Sequence, residues 1–77
     1  MKNYQPSEEL LKRLNNDFIY HDPKDGQLER YTQIRTETGS LAKWLTTVCP
    51  PSRELSLAIT HLEEAMFYAN AAIARNE

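Results

Sequence analysis

The sequence predicts an all-α fold: a short N-terminal helix, then a long antiparallel two-helix hairpin, assembled into a homo-oligomer. Three observations carry that reading. Leu55, Ile59, Leu62, Met66, Ala69 and Ile73 recur at alternating spacings of four and three, the seam of a helix packed lengthwise on a partner. Tyr31, Ile34, Thr38, Leu41, Leu45 and Val48 repeat a matching pattern earlier in the chain. Between the two stripes, Cys49-Pro50-Pro51-Ser52 leaves room only for a tight turn.

The short helix is expected over residues 6–18. Pro6 and Ser7 suit a helix start, and Glu8 and Glu9 favour its positive end. Leu10, Leu11, Leu14 and Phe18 form one apolar stripe. Three turns do not hold alone, so this helix should dock on the hairpin of its own or a neighbouring subunit.

Phe18 to Gly26, reading FIYHDPKDG, is a loop, since Asp22-Pro23 and Asp25-Gly26 are turn signals. The hairpin helices follow at 27–48 and 52–76. Gly39 weakens the first by about 1 kcal/mol relative to Ala, or permits another helix to come close. Two prolines stop that helix, and Pro51 or Ser52 opens the next. Antiparallel pairing then sets Val48 against Leu55, Leu45 against Ile59, Leu41 against Leu62, Thr38 against Met66, Ile34 against Ala69 and Tyr31 against Ile73. Trp44 lies off the seam and should face the short helix or another subunit.

A second face of small residues, Ala58, Ala65 and Ala72, runs beside the seam of the last helix. With 77 residues, one domain and a hairpin that encloses no core, conformational entropy is offset most readily by assembly. A net charge of −2 disfavours binding to duplex nucleic acid through a general positive field. No apolar run is long enough for a signal peptide or membrane span, and the single Cys49 fits a reducing cytoplasm.

The pairing register gathers polar groups at the open end of the hairpin. Tyr20 and His21 stack on or bond to bases, Arg35 grips a phosphate, and Asn70 bonds a base edge: equipment for a nucleotide. The same residues also suit ordinary ends, with Tyr20 packed, Arg35 paired to a surface Glu and Asn70 a plain helix residue. Spacing leaves both readings open. His61 and Glu64 form no ligand set, so no metal is expected; no nucleophile–base pair or phosphate loop is present, so neither cofactor nor catalysis is expected.

YHDPKDGQLERYTQIR, followed by CPPSRELSLAITHLEEAMFYANAAIARNE, resembles a group of small phage proteins, the helical-hairpin family of anti-CBASS cyclic-oligonucleotide sponges, related to those that disarm Thoeris signalling. The resemblance implies a homo-oligomer, commonly a hexamer, that sequesters cyclic dinucleotides between protomers without degrading them, in the cytoplasm of the infected bacterial host. By position it assigns the family's aromatic residue to Tyr20 and its basic residue to Arg35. The basic residue of a separate cyclic-trinucleotide site falls on Ala71, which cannot clamp a phosphate, so whether that site persists stays open. The competing reading is a helical oligomeric adaptor for a protein partner, with no nucleotide.

Overall fold

The computed structural model describes residues 3–77. These form three helices and no strand: α1 (Glu8–Asp17), α2 (Gln27–Val48) and α3 (Arg53–Asn76). Ser7 is the N-cap of α1, its hydroxyl accepting the Leu10 N–H at 3.1 Å. Ser52 does the same for α3, accepting from Leu55 at 3.1 Å. α2 has no side-chain cap and starts from Gly26, whose φ of 81° is a left-handed conformation that a side chain would strain. It ends where the Cys49 N–H donates to the Leu45 carbonyl, since Pro50 and Pro51 have no N–H to continue the ladder.

α2 and α3 pack lengthwise as an antiparallel hairpin. On α3 the half-buried positions include Leu55, Ile59, Leu62, Met66, Ala69 and Ile73, the expected seam. On α2 they are Tyr31, Ile34, Thr38, Gly39, Ala42 and Leu45, with Cys49 just past its end and a buried Gln27 at its start. Leu41 and Val48 are 42% and 55% exposed, so two of the expected pairings, Leu41 with Leu62 and Val48 with Leu55, do not form the seam. The reason is geometric. A straight helix of 3.6 residues per turn drifts by about 20° per heptad, and over six turns the contact line slides to Ala42 and Cys49. Thr38, half-buried in that line, settles its hydroxyl by donating to the Ile34 carbonyl at 2.6 Å.

The result is thin. Its extents are 50 × 41 × 14 Å, and its radius of gyration is 17.4 Å. A compact chain of this length would have a radius of about 11–12 Å. Among the described residues no apolar side chain is fully buried. α1 does not lie along either long helix, and of its stripe only Leu14 is half-buried while Phe18 is 83% exposed. Docking onto its own hairpin therefore leaves most of that stripe open. α1 is held by its last turn at the open end of the hairpin, where Asn16 Nδ2–H donates to the Arg75 carbonyl at 3.0 Å. Trp44 sits toward the opposite end, exposed, and the chain's own short helix does not cover it.

Candidate ligand-binding site

At the open end, α1, the loop after it, α2 and α3 surround a concavity of about 440 Å³, open to solvent. Its walls carry all four residues singled out from the sequence: Tyr20, His21, Arg35 and Asn70. Asp17, Ile19, Pro23, Tyr31, Ala71, Ala74 and Arg75 complete it.

Each element brings its residue for a local reason. The antiparallel register puts Arg35, one residue past the seam position Ile34, across from Asn70 and Ala71. Two alanines, Ala71 and Ala74, keep the α3 wall low. The loop is folded back by His21, whose Nε2–H donates to the Asn16 carbonyl at 2.7 Å. A carbonyl only accepts, so that nitrogen carries the proton, and in the neutral ring Nδ1 is left as an acceptor.

Two of the three ordinary alternatives, a packed Tyr20 and a paired Arg35, are not formed within the single chain. Tyr20 is 80% exposed rather than packed. Among the described residues Arg35 forms no ion pair, leaving its guanidinium fork free. The other cation, Arg75, is partly neutralised by Asp17 at 3.7 Å, and Asp17 also faces Arg13 at 3.8 Å. Asn70 has a buried side-chain oxygen without a hydrogen-bond partner. A flat ring, a free fork cation and an amide around one hollow are the groups that hold a base and a phosphodiester.

A hollow of about 510 Å³ along α2 is larger but chemically poorer: Leu28, Glu29, Thr32, Gln33, Thr36 and Glu37 offer carboxylates and no cation or ring. Among the described residues no three His, Cys, Asp or Glu side chains converge as metal ligands would.

A family model described as the Acb2/Tad1 hairpin domain matches residues 11–74. The chain belongs to the Acb2/Tad1 hairpin family. This is the family of anti-CBASS and anti-Thoeris sponges, binding proteins for cyclic oligonucleotides rather than enzymes. The matched span takes in α1 from Leu11 onward, the loop, α2 and α3 as far as Ala74, and so every wall of the concavity except Arg75. Neither a curated protein nor a solved structure matches the chain.

Sequence reasoning did not identify the fastening of this end. Gln27 is 3% exposed, the one buried residue among those described. Its Oε1 accepts the Lys24 N–H at 2.9 Å and its Nε2–H donates to Glu77 at 3.1 Å. Glu77 is also gripped by the Arg30 fork, one arm at 2.7 Å, and Lys24 Nζ donates to its main-chain oxygen. Arg30, and secondly Gln27, hold the Glu77 carboxyl down to about 2 from an ordinary 4.5. The signal was faint: a polar residue at a helix start reads as solvated, and its partner lies 50 positions away.

Proposed function

We propose that this family member is a sponge for cyclic dinucleotides, binding and sequestering the messenger without cleaving it and so blocking CBASS signalling in a phage-infected bacterium. The observation that carries the reading is the convergence of Tyr20, His21, Arg35 and Asn70 on one concavity with the Arg35 fork unpaired. In this reading Tyr20 stacks on a base, worth about 1–3 kcal/mol, and Arg35 holds a phosphodiester. His21 offers Nδ1 to a base amino group, and Asn70 its amide.

In this reading the walls hold the nucleotide rather than turn it over, as the family of binding proteins does. His21 has one nitrogen committed to the Asn16 carbonyl, which fixes the ring as part of the wall. The working form in this reading is a homo-oligomer, a hexamer by family habit. Support for assembly comes from the open faces of the single chain, including Phe18, Ile19, Tyr20, Trp44, Phe67 and Tyr68.

Isothermal titration with cyclic di-AMP, cyclic di-GMP and mixed cyclic GMP–AMP tests the reading. Binding is expected, with the nucleotide recovered chemically unchanged after heat release. The competing adaptor draws on a different observation: Leu41, Trp44 and Val48 are exposed on α2 at spacings of three and four, a stripe suited to a partner helix. No heat across the panel favours that adaptor.

A further inference from the structure

We propose that Gln27 is a positioning residue for the ligand loop: its buried amide locks Lys24, and through Lys24 the Tyr20–His21 segment, to the C-terminal end of α3. The inference rests on the cyclic-dinucleotide reading above and adds to it a residue outside the concavity.

The loop from Phe18 to Gly26 has little to hold it in place. Its main chain bonds to the main chain of the helices only toward its ends, where the Phe18 N–H donates to the Leu14 carbonyl, the Gln27 N–H to the Lys24 carbonyl and the Arg30 N–H to the Gly26 carbonyl. Tyr20 is too exposed for its own side chain to fix its position. Its aim is therefore set by anchors on either side of Pro23: the His21 bond to Asn16 before it and, after it, Lys24, whose N–H is held by Gln27 and whose Nζ reaches Glu77. The second anchor is the stronger construction. Gln27 is buried, bonds Lys24 and Glu77 at once, and accepts weakly from the Tyr31 hydroxyl at 3.5 Å. A buried amide with both ends satisfied is fixed in rotamer and costly to move. A stacking ring held in place before the ligand arrives spares the ordering cost at binding.

A positioning residue acts through the group it positions, and that separates it from general structural support. The parent protein, Tyr20→Ala, Gln27→Ala and the double variant are titrated with the tightest of the three cyclic dinucleotides. Gln27→Ala is expected to weaken binding about tenfold, equivalent to about 1.4 kcal/mol. In the Tyr20→Ala background the same change should cost less than about twofold, because the ring it aims is gone. In parallel, amide hydrogen exchange across residues 19–24 should quicken about tenfold in Gln27→Ala while α2 and α3 stay protected. Parent-like affinity, a penalty that persists in full without Tyr20, or unchanged exchange in the loop each overturns the proposal. A parent protein that binds none of the three nucleotides sinks the ligand reading instead, and exchange still decides whether Gln27 fastens the loop.

Discussion

The two ends of the hairpin are closed by opposite means. At the turn, the chain itself does the closing: Cys49-Pro50-Pro51-Ser52 joins α2 to α3 covalently, Ser52 caps α3, and Trp44 and Val48 nearby remain exposed. At the other end nothing covalent joins the helices, and side chains do the work. Gln27 and Arg30 take hold of Glu77, while Asn16 and Asp17 reach Arg75. Polar fasteners concentrate where the backbone is free, and the hollow with the free Arg35 lies among them. The apolar surplus, in contrast, is left on the faces, where another copy can cover it.

The largest test of that division is on the faces. Ala65 is exposed on α3, and Ala65→Arg places a long cation on a small-residue face without touching the hairpin seam. Light scattering is expected to show the parent as an oligomer and the variant broken down toward the 8.9 kDa chain, with helicity by circular dichroism largely kept. A parent that is already a stable monomer defeats the assembly reading.

Within the polar end, Tyr20→Ala and Arg35→Ala should each weaken cyclic-dinucleotide binding about 10- to 100-fold while the protein stays folded. Arg35→Lys should keep part of the affinity, since charge survives and the fork does not. Titrations that match the parent would move the pocket elsewhere.

Acid should loosen the polar end before the turn end. Glu77 has its folded-state pKa lowered to about 2 from 4.5, so its contribution is complete above about pH 4.5 and is lost as the pH falls toward 2. An NMR titration should place its midpoint near 2, and Arg30→Met should return that midpoint toward the ordinary carboxylate range. A midpoint in the parent already near 4.5 would mean that Arg30 does not hold the carboxylate in solution.

The smallest effect concerns Gly39. A β-carbon built there meets open space within the chain, so the close approach considered from the sequence does not occur between its own helices. Gly39→Ala should therefore stabilise by about 0.5–1 kcal/mol and raise Tm by a few degrees. A fall in Tm would show that a neighbouring subunit's helix closes on that face.

Much of this was legible from composition and spacing, but unevenly. The hairpin is written in two apolar stripes and a Pro-Pro turn, local signals that tertiary structure has little freedom to override. The convergence of Tyr20, His21, Arg35 and Asn70 followed from the antiparallel register, because pairing Ile34 with Ala69 brings their neighbours together. Leu41 and Val48 were placed in the seam by assuming a strict heptad, and 3.6-residue drift moved them out. The clasp at Gln27 was missed because hydrogen bonding between residues so far apart in sequence leaves no periodic trace. The openness of α1 was likewise unreadable: Leu10, Leu11, Leu14 and Phe18 declare an apolar face without declaring what covers it.

The fasteners of the open end have a consequence in time. They join residues 50, 53 and 59 positions apart, Gln27 and Lys24 to Glu77 and Asn16 to Arg75. Helix α2 draws on neighbours in sequence and can form early, whereas contacts across such separations wait until the intervening chain has turned back. In the loop bearing Tyr20 the His21–Asn16 and Lys24–Gln27 bonds are local, but Gln27 and Lys24 take hold of Glu77 only after α3 has returned to meet them. A chain stalled before that return would carry the Tyr20 ring and the Arg35 fork, but not the α3 wall that faces them.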